Sequence, residues 1–311
     1  VNDFTALGPG REFDLIRALT KRWGKLARGV GDDAALLDVP LGDVLVVSAD
    51  NVVEGVHFRD GWFTPREIGW RATAAALSDL AAMAAAPLGV LVSLSLPEAW
   101  LPRVDDLADG IGEAVAGAGT FIVGGNIAGA HELNVAMTVL GHCARPLRRS
   151  GALPGDALYV TGRLGGPVTA LRALERGEIP PREARDRFAW PEPRLSAAQW
   201  LVAHDAHAAI DISDGLFADA RHVAAASGVR LVIDLDALPV LAGLDPITAA
   251  RGGEEYELLV AAPATLDTAA FACALALPLT RIGRVESGAP EVQASLHGAR
   301  VAPLDGFDHF S

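Results

Sequence analysis

Cysteine is scarce: the 311 residues hold two, Cys143 and Cys273, and neither belongs to a CxxC pair. That argues against a disulfide framework or a structural zinc cluster and suits a reducing cytosol. Basic residues are outnumbered, 26 Lys and Arg against 39 Asp and Glu, for a formal net charge of −13. Non-specific nucleic-acid binding needs a basic surface and is excluded on that ground. Anionic phosphates remain possible ligands if divalent cations intervene. Long apolar runs are missing too. The most hydrophobic stretch, "AAMAAAPLGVLVSLSL", is cut by Pro87 and Gly89 and does not read as a membrane span. The opening "VNDFTALGPGREFDL" has neither the basic region nor the apolar core of a signal peptide. The expectation is a cytoplasmic protein with no membrane and no nucleic-acid partner. Neither GxxxxGK[ST] nor GxSxG occurs, so a P-loop and a nucleophile elbow are also excluded.

What is present is apolar and ordered. Hydrophobic residues make up 50% and charged residues 21% of a chain long enough for one large domain or two ordinary ones. "REFDLIRALTKRWG" has helical spacing and ends at a glycine. "LVVSADNVVEGVHF" reads as a strand with a polar interruption. "TPREIGWRATAAALSDLAAMAAA" reads as a helix with Pro65 in its first turn, where a missing N–H costs little. "LGVLVSLSLP" (strand), "RVDDLADGIGEAVAGAG" (helix), "TFIVGGN" and "ELNVAMTVLGHC" (strands) complete an α+β layer. The Pro-, Gly- and Arg-rich stretch "ARPLRRSGALPGD" marks a connection, giving expected domains of residues 1–148 and 149–311. Beyond it "DALYVTGRLGG" reads as strand and loop, and "VRLVIDL", "YELLVAAP" and "LTRIGRV" read as strands. "GPVTALRALERG" and "SAAQWLVAHDA" read as helices. "AAIDISDGLFADARHVAAASG" reads as strand, loop and helix.

Carboxylates recur at the ends and centres of these apolar segments. Asp32 and Asp33 follow Gly31 in what could be a plain turn. Asp50 ends an apolar strand beside Ser48, a second oxygen donor. Asp79 interrupts a helix with no wide polar face, so it calls for a partner, either a metal ion or a cation such as Arg71. "DISDG" puts Asp211, Ser213 and Asp214 at a strand-to-helix junction, where they could cap the helix, bind phosphate, or both. Hard oxygen donors without a His or Cys cluster point to magnesium, and scattered aspartates on magnesium usually serve a nucleotide's phosphates. The glycines of "VGGN" and "RGGEEYEL" allow backbone to approach a ligand, or simply form turns. Among the histidines, His57 in "EGVHF" is a better substrate contact than His204 or His207, which could share an ordinary helix face.

Taken in order, "GREFDLIRAL", "GVGDDAALL", "SADNVVEGVHF", "ALSDLAAMAAAP", "VGGN", "LRRSGALPGDALYVTG", "DISDGL", "GGEEYEL", "IGRV" and "GFDHF" resemble the thiamine-monophosphate kinases. These belong to the superfamily that also contains aminoimidazole ribonucleotide synthetase, and the similarity runs nearly end to end. The resemblance implies an α+β, two-domain aminoimidazole ribonucleotide synthetase-like fold. Its N-terminal strands form a barrel in a homodimer, and its C-terminal domain is α/β. It implies ATP-dependent phosphorylation of thiamine phosphate to thiamine diphosphate by direct phosphoryl transfer, with several Mg²⁺ ions and ATP as co-substrate. By position, Asp33, Ser48, Ala49, Asp50, Asp79, Asn126, Asp211 and Asp214 would hold magnesium. Gly125, Asn126, Arg149 and Ser213 would contact ATP, and His57, Glu254 and Phe307 would line the thiamine phosphate site. No catalytic acid or base is implied, because the substrate's phosphate is already anionic.

Three positions depart from the family pattern. Ala49 stands where threonine is frequent, so a metal contact there uses the main-chain carbonyl. Asn126 stands where many members have aspartate, and Phe307 where tyrosine or tryptophan occurs. The alternatives are another ATP-using enzyme of the superfamily or a catalytically inactive nucleotide-binding homologue. A selenophosphate synthetase would show a reactive cysteine near its start, and none precedes Cys143.

Overall fold

The computed structural model describes residues 10–30 and 34–301. Of the expected site residues, Asp33 and Phe307 lie outside the described residues, as does Asp32. The chain forms two compact units. One consists of the chain to Leu80 together with Ala85–Ala144, the other of Ala81–Ala84 with the chain from Arg145 onward.

The first unit is built from α1 (Arg11–Trp23), β1 (Val44–Val53), α2 (Pro65–Ala82), β2 (Ala86–Leu96), α3 (Val104–Gly117), β3 (Ile122–Gly129) and β4 (Asn134–Cys143). α2 begins at a reciprocal cap. The Thr64 N–H donates to Glu67 Oε2 (2.7 Å) and the Glu67 N–H to Thr64 Oγ1 (3.3 Å). Among the described residues the strands form a four-stranded sheet in the order β1-β4-β2-β3, with β2 and β3 parallel and the other pairs antiparallel. Alternation gives this sheet two unlike faces. Val90, Val92, Leu94, Val135, Met137 and Val139 are buried on one of them. The other carries Leu45 and Val47, 47% and 54% exposed, opposite His142 and Leu140. α2 and α3 cross with backbones touching: a Cβ on Gly69 would lie 2.2 Å from Leu107 O, and one on Gly110 only 1.8 Å from Arg66 O.

The second unit contains β5 (Ala157–Thr161), α4 (Gly166–Glu175), α5 (Arg182–Ala189), α6 (Leu195–Ala203), β6 (Ala208–Asp211), α7 (Leu216–Ser227), β7 (Arg230–Asp234), α8 (Pro246–Arg251), β8 (Leu258–Ala262), α9 (Thr268–Leu275), β9 (Leu279–Glu286), β10 (Glu291–Leu296) and β11 (Ala299–Val301). Its described strands make a seven-stranded mixed sheet, β11-β10-β7-β9-β5-β8-β6. Both faces are covered. Leu158, Val160, Leu259 and Ala261 join a core with α7, whereas Tyr159, Leu258 and Val260 join one with α6 and α9. That double burial explains why "ALYVT" and "LLVAA" run apolar without alternating. His204 and His207 do not share a helix face, since α6 stops at Ala203. His204 stacks on Trp200, and His207 Nδ1 meets Asp156 at 3.0 Å.

One acid is buried within this unit. Glu255 Oε1 accepts the Gly165 N–H at the start of α4 (2.5 Å), while its Oε2 has no hydrogen-bond partner among the described residues. Burial pushes its carboxyl up to about 8, against the pull of the Gly165 N–H and the Arg187 charge.

Two outcomes follow. Gly110→Ala, which in an open helix would stabilise by about 1 kcal/mol, should here destabilise by roughly 1–3 kcal/mol because the methyl group meets the Arg66 carbonyl. Urea unfolding of both proteins measures this, and a gain in stability would contradict the close crossing. Glu255 binds its proton more tightly folded than unfolded. Its contribution to stability is therefore complete below the ordinary value of 4.5 and is lost as pH rises through about 8. Relative to Glu255→Gln, the wild type should lose stability across that window, by about 1.4 kcal/mol for each pH unit of separation at most. Parallel curves for the two proteins would refute the burial effect.

Candidate functional site

β1 is an edge strand whose alternate residues differ in exposure, with Val46, Ser48, Asp50 and Val52 more enclosed than Leu45, Val47, Ala49 and Asn51. Ser48 and Asp50 therefore share one face, and the Ala49 side chain is on the other. α2 meets the first of these faces at Asp79, whose Oδ2 accepts the Ser48 hydroxyl at 2.5 Å. Asp79 thus faces an oxygen donor from the strand. The competing cation, Arg71, has its guanidinium 4.5 Å above the Phe63 ring. Asp50 Oδ1 accepts the Asn51 N–H at 2.7 Å.

The loop after β1 is pinned from below. Phe58 is buried and meets Trp100 edge-on, while Glu54 Oε2 accepts from Trp100 Nε1 (2.9 Å) and the Leu133 N–H (3.3 Å). Above these anchors, His57 Nδ1 accepts the Val53 N–H at 3.0 Å. A backbone N–H can only donate, so neutral His57 carries its proton on Nε2.

Gly125 and Asn126 lie on β3, at the opposite sheet edge from β1. Gly125 is obligatory there, since a Cβ would fall 1.8 Å from Val92 O. The register runs Asp50, Met137, Val92, Gly125 across the sheet, about 14 Å at three strand spacings. Within this unit Asn126 is therefore not gathered with Ser48, Asp50 and Asp79. It instead borders a cavity of about 740 Å³ between α1 and the sheet, lined also by Phe13, Ile16, Leu91, Ser93 and Gly125. That size and mostly apolar lining suit a nucleoside-sized ligand.

The second unit gathers its own set. β6 and β8 pair antiparallel with Asp211 opposite Leu258, so the residues after β6 lie beside those before β8. The pairing continues past the strands. The Ile212 N–H donates to Glu257 O (2.7 Å), the Tyr256 N–H to Ile212 O (2.9 Å) and the Glu254 N–H to Ser213 O (2.7 Å). Gly253 permits the approach, because a Cβ there would be 2.4 Å from Ser213 O. Asp211, Ser213, Asp214 and Glu254 are thereby held on adjoining backbone. Arg149 is near the same strand: Arg148 O accepts the Ala209 N–H (3.0 Å), and Arg149 O accepts the Ser227 hydroxyl (3.0 Å).

Sequence reasoning missed Asp219, in the first turn of α7. Its Oδ2 accepts the N–H groups of Ser213 (3.0 Å), Asp214 (3.2 Å) and Gly215 (3.2 Å), a nest that shapes the Asp211–Asp214 loop. Burial, then the charges of Asp211 and Asp214, push its carboxyl up to about 7. The available signal was an acid at helix position N4 after a DG pair, which is weak alone.

The donors present are hydroxyl and carboxylate oxygens, the chemistry that Mg²⁺ prefers. Within neither unit do three described His, Cys, Asp or Glu side chains gather closely enough to hold an ion by themselves. Mg²⁺ commonly retains waters and phosphate oxygens beside one or two carboxylates, so the set fits that mode.

Residues 31–143 match the AIR synthase related protein N-terminal domain, and residues 154–294 the corresponding C-terminal domain. The thiamine-monophosphate kinase of Salmonella typhimurium is 34% identical, with 97% of this chain and 96% of that protein covered. That of Bacillus subtilis is 31% identical over 96% and 99%. The Stenotrophomonas maltophilia thiamine-monophosphate kinase structure superposes with a TM-score of 0.82 at 36% identity, over 95% of this chain and 98% of that one. The structure of AaThiL complexed with AMPPCP and TMP gives 0.77 at 32% identity, over 96% and 97%. A hydrogenase maturation protein HypE, 21% identical with a TM-score of 0.79, shares the fold over 96% of each chain. With both AIR synthase related domains matched and relatives of this identity aligned end to end, the chain belongs to the thiamine-monophosphate kinase family.

Proposed function

We propose that this protein transfers the γ-phosphoryl group of ATP to thiamine phosphate, giving thiamine diphosphate and ADP. The observation that carries the reading is the backbone pairing that holds Asp211, Ser213 and Asp214 beside Glu254. It sets phosphate-type and substrate-type groups on one rigid edge, in a chain whose relative was solved with AMPPCP and TMP. The roles read from the resemblance are kept. Asp33, Ser48, the Ala49 carbonyl, Asp50, Asp79, Asn126, Asp211 and Asp214 hold magnesium. Gly125, Asn126, Arg149 and Ser213 contact ATP, with the cavity beside Asn126 as the place for the nucleoside. His57, Glu254 and Phe307 face thiamine phosphate.

Bound Mg²⁺ would neutralise charge on the transferring phosphoryl group. The chain's own residues supply position. The Ser48 hydrogen bond orients Asp79, and Asp219 holds the loop that carries Ser213 and Asp214. In chemical type, the His57 imidazole suits an anionic oxygen and the Glu254 carboxylate suits the cationic thiazolium. No side chain needs to take a proton from the nucleophile, which is a phosphate oxygen. A homodimer is part of the proposal, supported by the exposed apolar residues Val44, Leu45 and Val47 on the edge strand. A monomer mass by light scattering would contradict it. A cytoplasmic location, in keeping with two free cysteines, is likewise proposed, and recovery of the protein outside the cytoplasmic fraction would contradict it.

ADP release measured in parallel with thiamine phosphate, free thiamine and aminoimidazole precursors tests the reaction. Turnover should require thiamine phosphate and Mg²⁺, and comparable turnover on free thiamine would refute the reading. Asp79→Asn should lower kcat about 10²–10³-fold, the usual loss for one electrostatic contact of the transition state, with little change in Tm. A lower Tm with intact specific activity would make Asp79 a structural residue instead.

A further inference from the structure

Glu257 has no place in the reaction as described, yet its carboxylate is only 1% exposed and heavily bonded. Arg194 donates to it through Nε (2.8 Å) and Nη2 (2.7 Å), Arg187 through Nη2 (3.0 Å) and Thr161 through its hydroxyl (2.6 Å). Thr161 Oγ1 in turn accepts the Leu258 N–H at 2.9 Å, closing the network onto the first residue of β8. Space for the carboxylate is built into the neighbouring turn. Gly162 has φ +62°, and a Cβ there would sit 2.0 Å from Glu257 Oε1. Buried ion pairs of this kind are poor sources of net stability, because well-packed apolar groups often do as well. Their better-attested use is to fix one arrangement of the chain.

The arrangement at stake is three residues upstream. Glu254 and Tyr256 have φ of +59° and +52°, left-handed values that cost a non-glycine residue about 1–2 kcal/mol. Such backbone persists only where its surroundings over-determine it. Here two sides do so. The N–H groups of Glu254 and Tyr256 are bonded to the Ser213 and Ile212 carbonyls. The side chains that alternate with them, Glu255 and Glu257, are buried and anchored at Gly165 and at the arginine pair.

We propose that Glu257, gripped by Arg187, Arg194 and Thr161, is a positioning residue that locks the left-handed backbone at Glu254 and so aims the Glu254 carboxylate at thiamine phosphate. The inference rests on the proposed function, in which Glu254 touches that substrate. Glu257 itself touches neither substrate nor nucleotide. Its loss leaves the Glu254 carboxylate chemically intact but misdirected, so the effect falls on binding of thiamine phosphate rather than of ATP.

A double-mutant cycle tests this. Glu257→Gln keeps the shape of the side chain and removes the charge that holds both arginines. Assayed well below its Tm, it should raise the KM for thiamine phosphate about tenfold and leave the KM for ATP unchanged. In a Glu254→Ala background the same substitution should add nothing further, since the two residues act through one contact. Additive effects, or a lowered Tm with both KM values unchanged, would overturn the positioning role. If Glu257→Gln does not fold, Arg187→Gln, which removes the hydrogen bonds of a 24% exposed side chain to Glu257 and to the Arg163 carbonyl, is read in the same cycle with the same outcomes. A wild-type enzyme without turnover on thiamine phosphate would overturn the function itself. Normal wild-type turnover with an additive cycle would overturn the positioning role alone.

Discussion

Where β6 ends, its backbone goes on pairing. Ile212 and Ser213 exchange hydrogen bonds with Glu254, Tyr256 and Glu257 beyond the last residues of regular strand. Two loops that would otherwise be independent become an extension of the sheet. Asp211, Ser213 and Asp214 come from one of them and Glu254 from the other. Their relative positions are therefore set by backbone hydrogen bonds rather than by long side chains. The pairing needs small residues and unusual torsions, met by Gly253 against Ser213 O and by positive φ at Glu254 and Tyr256. Behind it, buried carboxylates face α4 and the Arg187–Arg194 pair, so the strained segment is held from both sides.

The same economy of parts recurs in the first unit, where a strand supplies Ser48 and Asp50 and a helix brings Asp79 onto them. In both units a carboxylate is oriented by a neutral donor, a serine hydroxyl in one and backbone N–H groups on Asp219 in the other. Neither carboxylate is neutralised by its donor, and Asp219 is driven up to about 7 by burial and by Asp211 and Asp214. Carboxylates thus recur close together in each unit, in a protein of net charge −13.

Much of this was legible in the residues. The strand and helix containing Ser48, Asp50 and Asp79 follow from apolar runs and a proline-initiated helix. The strand–loop–helix around "DISDG" follows from composition alone. Other parts were not. α5, "REARDRFA", buries only Ala184, Phe188 and Ala189, too few apolar positions to show a helical period. β10 and β11 are short and half-exposed, without clean alternation. Asp219 is, by sequence, one acid in the first turn of a helix. Its role depends on the turn that folds Ser213, Asp214 and Gly215 around it, which spacing does not encode. The adjacency of Glu254 to Ser213 depends on the antiparallel pairing of β6 with β8, a tertiary choice no local pattern specifies.

The central claim is that the two loops behave as one piece of sheet. Native-state amide hydrogen exchange reads this directly, since protection reports the free energy of local opening. The amides of Ile212, Glu254 and Tyr256 should exchange nearly as slowly as those of β8, although residues 252–257 form no regular strand. Exchange at the rate of exposed loop amides would mean that the pairing opens freely, and the rigid-edge account of the site would fail.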